Sequence, residues 1–194
     1  MAIVADSGAI YGLYDRRDAL HASLRAAVET ERDTLTLPAP TLGEIDYLLR
    51  VRLGNSALLR FLSDIQEGAF VVEALTLADL RRCAALISKY HDLDLGLSDA
   101  SVVAVAERIG TDRILTVDLR DFPAIRSARG KPFRLLPAER KRSGSPPEMP
   151  WRAFQRAAST IASTRGFEAA RRLKATLRAE ARATNHGISA TSRT

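Results

Sequence analysis

Cysteine is almost missing from this chain, which has Cys83 alone among its 194 residues. A single cysteine can form no internal disulfide and no cysteine-based metal site, and this composition is typical of a cytosolic protein. Cys83 lies in an apolar stretch, where we expect a small core residue rather than a nucleophile. Disulfide-stapled secreted classes are therefore excluded.

Long apolar runs are also missing. No run reaches the roughly 18 residues that a membrane-spanning helix needs. The first residues carry no positively charged segment of the kind that begins a secretory signal. We therefore expect a cytoplasmic protein that is not bound to a membrane. Aromatic residues make up only 6% of the chain, but 46% of its residues are hydrophobic, which is enough to bury a core over this length.

Acidic residues are scarce in the last quarter of the chain. Residues 141–194 have 11 basic and 3 acidic side chains, a net charge of +8, whereas residues 1–140 have 18 and 20, a net charge of −2. We predict a domain over 1–140, a Ser- and Pro-rich linker over 141–150 and a basic C-terminal extension over 151–194, helical or disordered. An RNA-binding arm, a partner-binding or self-inhibiting segment and a stretch with little function stay open, and we favour the last.

Short β-branched runs alternate with helical patterns through residues 1–140. This alternation is typical of an α/β domain built around a mainly parallel sheet. The patterns predict strands at 2–5, 34–37, 70–74, 113–117 and 133–136, and helices at 9–13, 20–28, 42–53, 56–66, 76–90 and 98–108.

Two helix beginnings have recognisable capping patterns. Thr41 with Glu44 three residues later predicts a capping box, in which each side chain bonds the other residue's backbone N–H. Ser98 is the expected N-cap of the helix over 98–108, which Gly110 ends.

Four acidic residues fall where the predicted elements meet one edge of the sheet. Asp6 and Asp118 each follow a predicted strand, Asp99 lies at the beginning of a helix, and Glu44 lies in the first turns of another. Ligand sites of parallel α/β domains form outside the carboxyl ends of the strands. We therefore expect the four carboxylates to share one pocket.

Carboxylates gathered in one pocket repel one another and raise one another's pKa values. A bound hard cation removes this conflict. Oxygen ligands without a nearby histidine or cysteine favour Mg²⁺ or Mn²⁺ over Zn²⁺, and the three histidines show no metal-ligand spacing. Such a site suits the attack of water on a phosphodiester, so the pattern indicates a metal-dependent nuclease.

The acids and their surroundings also resemble a known family. The matching motifs are Ala-Asp6-Ser-Gly-Ala, Leu-Gly-Glu44-Ile, Gly-Leu-Ser-Asp99-Ala-Ser-Val-Val-Ala-Val-Ala-Glu-Arg and Ile-Leu-Thr-Val-Asp118-Leu-Arg-Asp-Phe. In this order they resemble the PIN-domain ribonucleases and, more narrowly, the VapC toxins of bacterial type II toxin–antitoxin systems. The resemblance covers residues 2–136.

This resemblance implies a PIN-like α/β fold with a central, mainly parallel sheet flanked by helices. It implies an endoribonuclease that uses Asp6, Glu44, Asp99 and Asp118 as catalytic acids. Asp6 and Asp99 would be the ligands of Mg²⁺, for which Mn²⁺ could substitute. The implied partners are an RNA substrate of the tRNA or rRNA class, a VapB-type antitoxin that blocks the site with a peptide, and a second copy of the chain in a homodimer.

Nearby polar residues have less specific interpretations. Thr116 would help to shape the strand end that carries Asp118. Asp121 could reach the acidic cluster through water, but we expect it to be solvent-exposed, like Asp46. Arg120 is the arginine best placed to contact a phosphate, since arginine forks bind phosphate well.

Other enzyme classes fit the chain less well. An aspartyl-phosphate phosphatase needs a second aspartate two residues after Asp6, where Gly8 stands. A receiver domain needs paired acids after its first strand, and the Gly-x-Gly-x-x-Gly motif of dinucleotide-binding domains is missing. A housekeeping RNA-processing nuclease of the PIN fold and a catalytically silent RNA- or partner-binding module stay open.

Overall fold

Five strands and six α-helices make up the part of the chain that the structure describes. This computed structural model describes residues 2–31, 33–93 and 95–137, so the predicted linker and the basic extension lie outside it. The strands are β1 (Ala2–Ala5), β2 (Thr34–Pro38), β3 (Phe70–Glu73), β4 (Arg113–Leu115) and β5 (Arg134–Leu136). The helices are α1 (Ser7–Tyr14), α2 (His21–Glu31), α3 (Thr41–Leu53), α4 (Asn55–Gln66), α5 (Leu77–Lys89) and α6 (Leu97–Ile109).

The strands form one sheet in the order β3-β2-β1-β4-β5, and every neighbouring pair is parallel. The first strand is central, where Ile3 is paired with Leu35 of β2 on one side and Ala5 with Leu115 of β4 on the other. The predicted α/β architecture with a parallel sheet is therefore confirmed.

Alternate side chains of β1 enter two separate cores on the two faces of the sheet. Ile3 and Ala5 lie in a core with residues of α1–α4, whereas Val4 lies in a second core with residues of α5 and α6. Cys83 is fully buried in that second core, as predicted, and burial raises the pKa of its thiol.

Helix α6 is the most enclosed helix of the described part of the chain. All nine residues from 98 to 106 are buried. It ends at Gly110, which takes a left-handed conformation (φ 75°) that favours glycine. None of the helices in the described ranges combines the length and the apolar character needed to cross a membrane.

Two predicted caps are wrong, and both errors concern helices that carry acids. Thr41 is already the first residue of α3, the cap position falls on Pro40, and no side chain caps the helix. The Thr41 hydroxyl donates to the Pro38 carbonyl oxygen (2.8 Å). Helix α6 begins at Leu97, one residue before the expected N-cap Ser98, so the cap position falls on Gly96.

Candidate active site

The four predicted acids lie at the carboxyl edge of the sheet. Asp6 directly follows β1, and Asp118 lies three residues after β4, the strand next to β1 in the sheet. Glu44 and Asp99 lie in the first turns of α3 and α6. Helices connecting parallel strands run opposite to the strands, so α3 and α6 begin at this same edge. The topology therefore puts all four acids at one edge.

Asp6 is buried at this edge, with 4% of its surface exposed. Its Oδ1 accepts hydrogen bonds from the Ser7 backbone N–H (2.7 Å) and lies 3.3 Å from the Ser7 hydroxyl. Its Oδ2 accepts from the Thr116 hydroxyl (3.1 Å), and its backbone N–H donates to the Leu115 carbonyl oxygen (2.9 Å). The carboxylate is therefore held on Oδ1 by the first residue of α1 and on Oδ2 by the residue that directly follows β4.

The electrostatic surroundings of Asp6 disfavour its negative charge. Burial, followed by the nearby charges of Glu44 and Asp118, raises the pKa of Asp6 to about 6, although the hydrogen bonds from Thr116 and Ser7 act against the rise. Three of the four predicted acids thus interact electrostatically at this edge.

Glu44 is half-buried and contacts α1 from the beginning of α3. Its Oε2 accepts a hydrogen bond from the Ser7 hydroxyl (2.8 Å). The predicted capping box with Thr41 would have turned Glu44 back onto its own helix. The contact with α1 directs its carboxylate toward Asp6 instead.

Asp99 is buried, with 3% of its surface exposed, in the first turn of α6. Its Oδ2 accepts a hydrogen bond from the Gly96 backbone N–H (3.1 Å). This bond fixes the carboxylate at the helix N-terminus, where the helix dipole favours negative charge. The predicted position of Asp99 at a helix beginning is confirmed.

Asp118 organises the loop that follows β4. Its backbone N–H donates to the Thr116 hydroxyl (3.0 Å), and its Oδ1 accepts from the backbone N–H groups of Arg120 (2.9 Å) and Asp121 (3.4 Å). The expected exposure of Asp121 is wrong, because this residue is only 4% exposed. The adjacent Phe122, which is buried in the second core, draws Asp121 inward.

The donor chemistry of this edge fits a hard divalent cation. The described ranges contain no group of three or more His, Cys, Asp or Glu side chains close enough together to form a ready-made metal site. Mg²⁺ does not need one, because it binds through one or two carboxylates and keeps several waters. Oxygen donors and a carboxylate whose pKa is raised by burial and by its acidic neighbours fit Mg²⁺ or Mn²⁺ better than Zn²⁺.

Ser7 is the site residue that sequence reasoning did not single out. It is the first residue of α1, directly after Asp6, but its bond to Glu44 joins residues 37 positions apart. No local pattern reports such a contact. Asp46, two residues after Glu44, is 48% exposed and pairs with Arg50, as expected of a solvated residue.

Comparisons with known proteins agree with this architecture. Residues 3–127 match the PIN domain family. The chain is 30% identical over 135 residues to the ribonuclease VapC26 of Mycobacterium tuberculosis, which covers 70% of this chain and all of that protein.

Solved structures share the fold at lower sequence identity. VapC20 of M. tuberculosis, described as a sarcin-ricin loop cleaving toxin, matches with a TM-score of 0.53 and 20% identity over 58% of this chain and 86% of its own. A toxin–antitoxin complex from Klebsiella pneumoniae matches with a TM-score of 0.50 and 20% identity over 63% and 92%. The extent of the family match and the identity to a full-length relative together show that this chain belongs to the PIN-domain family and is of the VapC type.

Proposed function

We propose that this protein is a Mg²⁺-dependent endoribonuclease and the toxic component of a type II toxin–antitoxin system. The observation that carries the proposal is the buried Asp6 carboxylate, whose pKa is raised by burial and by Glu44 and Asp118 at the carboxyl edge of a PIN sheet. The 30% identity to a ribonuclease along that protein's full length supports the same activity.

The two deeply buried acids, Asp6 and Asp99, are the proposed metal ligands, with Mn²⁺ able to substitute for Mg²⁺. When bound, the ion would supply charge neutralisation at a phosphodiester and would lower the pKa of water. Thr116 and Ser7 hold the Asp6 carboxylate in place, and the Gly96 N–H holds that of Asp99. Carboxylates fixed in this way lose little entropy when they bind.

The two half-buried acids, Glu44 and Asp118, are assigned to water and substrate. Their partial exposure leaves them accessible from solvent, unlike the two deeper acids. A carboxylate in that position can orient a water molecule and accept its proton. Arg120, whose side chain is 61% exposed beside this edge, is the proposed contact for a substrate phosphate.

The proposed partners follow from the relatives. One fold neighbour is a toxin–antitoxin complex and another is a toxin that cleaves the sarcin-ricin loop. By this likeness we propose for this chain an RNA substrate of the tRNA or rRNA class and a VapB-type antitoxin. We also keep the proposal of a homodimer, which the resemblance of the sequence motifs implies.

Induced expression followed by sequencing of cellular RNA 5′ ends tests the proposal. The wild type should stop growth and generate discrete new RNA ends, whereas Asp99→Asn should do neither, because it removes the charge of a proposed ligand while keeping its size. The matched control is Asp46, an acid of α3 whose side chain is 48% exposed. The variant Asp46→Asn should behave like the wild type. Growth arrest by folded Asp99→Asn, or no new ends with the folded wild type, would contradict the proposed function.

A further inference from the structure

Ser7 occupies an unusual place between two acids. It is the first residue of α1, it directly follows Asp6, and it is 1% exposed. Its hydroxyl donates to Glu44 Oε2 at 2.8 Å and lies 3.3 Å from Asp6 Oδ1. The Asp6 carboxylate, before α1, and the Glu44 carboxylate of α3 are therefore both within reach of one hydroxyl.

A serine hydroxyl has only one proton to donate. The shorter distance assigns that proton to Glu44, while Asp6 Oδ1 accepts the Ser7 backbone N–H at 2.7 Å. Ser7 thus donates its backbone N–H to Asp6 and its hydroxyl to Glu44. Both donors belong to one residue at a helix beginning, so they fix the two carboxylates relative to each other.

Three other helical serines of the described residues bond only nearby groups, and one of them, Ser63, donates to the Glu67 carboxylate four residues later (3.0 Å). The hydroxyls of Ser23 and Ser101 donate to backbone carbonyl oxygens three residues earlier, those of Leu20 (2.9 Å) and Ser98 (2.6 Å). That bond is the ordinary local contact of a serine in a helix. The Ser7 hydroxyl instead bonds a carboxylate of another helix, and the cap of α1 comes from the Asp6 side chain.

We propose that Ser7 is a positioning residue of the reaction, whose hydroxyl holds the Glu44 carboxylate at a fixed place beside Asp6. The inference rests on the proposed function and extends it to a residue that acts through the carboxylate of Glu44. Glu44 and Asp6 repel each other, and a glutamate side chain has many rotamers. Without the Ser7 hydroxyl, the Glu44 carboxylate would lose the hydrogen bond that fixes it beside Asp6 and would occupy the place where it orients water less of the time.

A double-mutant cycle tests whether Ser7 acts through Glu44. The four proteins are the wild type, Ser7→Ala, Glu44→Ala and the double variant, compared in kcat and KM on RNA and in Mn²⁺ affinity by calorimetry. Ser7→Ala should lower kcat by about 10–100-fold with little change in KM. It should also weaken Mn²⁺ binding, because the negative charge of Glu44 is then no longer held beside the proposed ligand Asp6. In the Glu44→Ala background the same change should cost less than about threefold in Mn²⁺ affinity, because its partner is already gone.

Two further variants separate positioning from a general structural effect. Ser7→Thr keeps the hydroxyl and should recover most of the kcat that Ser7→Ala loses. Ser23→Ala removes a helical hydroxyl that bonds the backbone carbonyl three residues earlier, and should leave kcat and Mn²⁺ affinity at the wild-type values. Thermal unfolding of each variant checks that the fold is retained.

The inference is overturned if the two losses in Mn²⁺ affinity simply multiply in the double variant, or if Ser7→Ala has wild-type kcat and Mn²⁺ affinity. It is also overturned if the wild type binds no Mn²⁺. A wild type that binds Mn²⁺ but cuts no RNA would contradict the proposed function alone, and the cycle in Mn²⁺ affinity would still decide the role of Ser7.

Discussion

Asp6 and Asp79 are equally buried aspartates in opposite electrostatic surroundings. Each is 4% exposed at the beginning of a helix, Asp6 before α1 and Asp79 in the first turn of α5. Burial raises the pKa of Asp6 to about 6, with Glu44 and Asp118 adding to the rise. Burial also acts to raise the pKa of Asp79, but its hydrogen bonds and Arg108 outweigh burial and lower it.

The neighbours explain the difference. Asp79 accepts from the backbone and hydroxyl of Thr76 (both 2.8 Å) and pairs with Arg108 (3.0 Å), which also bonds Glu73. Asp6 has hydroxyl and N–H donors, but the ionisable neighbours that shift its pKa are acids. The chain compensates the Asp79 charge with its own arginine, which indicates a structural role. At Asp6 the negative charges of Glu44 and Asp118 add to that of Asp6 itself, and this concentration of negative charge favours a bound cation.

The largest expected effect of this difference is on catalysis. Asp6→Asn keeps the size of the side chain and removes the charge of a proposed metal ligand, so we expect RNA cleavage to fall by about 10³-fold, as when a main electrostatic contact is lost. Asp79→Asn should leave kcat within about threefold of wild type, because Asp79 contacts α5 and α6 rather than the site. Single-turnover cleavage of RNA measures both variants. Equal losses in the two would contradict the assignment of separate roles.

The pH dependence of stability should also separate the two aspartates. The pKa of Asp6 is about 6 in the folded protein and 3.8 as its ordinary value, so between these pH values the folded state keeps a proton that the unfolded chain loses. As pH rises through this window, the free energy of unfolding should fall by up to about 3 kcal/mol. Asp79, with its lowered pKa, contributes stability above its ordinary pKa and loses that stability as the pH falls.

Urea unfolding in EDTA from pH 4.5 to pH 7 measures this contribution. Asn cannot titrate, so the stability of Asp6→Asn relative to wild type should increase toward pH 7, and that of Asp79→Asn should not. A constant difference between wild type and Asp6→Asn across this range would show that the Asp6 pKa is not raised.

At pH 7, Asp79→Asn should lower the free energy of unfolding, whereas Asp6→Asn should not. Asp79 is a buried acceptor for Thr76 and Arg108, and its charge offsets that of the arginine, which is 31% exposed. We expect a loss of about 2 kcal/mol in the free energy of unfolding at pH 7. Asp46→Asn breaks an exposed pair with Arg50 and should cost less than about 0.5 kcal/mol. If Asp79→Asn and Asp46→Asn lose the same free energy of unfolding, Asp79 is not the structural carboxylate that its contacts indicate.

The parts of this molecule that sequence predicts are those with a local cause. A β-branched run predicts β1, and Gly110 predicts the end of α6. The parallel topology then places Asp6, Asp118, Asp99 and Glu44 at one edge of the sheet. These inferences need only short patterns and the rule that ligands bind at the carboxyl ends of strands.

The errors have non-local causes. The capping box of Thr41 and Glu44 is a local pattern, but Ser7, far away along the chain, offers Glu44 a donor that competes with it. Asp121 looks polar and exposed in sequence, but the packing of the next residue, Phe122, buries it. Contacts between separate elements therefore determine the features that local patterns could not predict, including the hydrogen bond between Ser7 and Glu44.

Added Mg²⁺ should give the smallest effect and the most direct comparison of the two aspartates. A ligand that binds only the folded state stabilises it by about 1.4 kcal/mol at ten times its Kd. We expect this gain, measured by urea unfolding in Mg²⁺ against EDTA at matched ionic strength, in the wild type and in Asp79→Asn. Asp6→Asn should lose most of it, because the acidic edge no longer has its buried ligand. An equal gain in all three proteins would indicate binding elsewhere on the surface, and the oxygen donors at the carboxyl edge of the sheet would then not be the metal site.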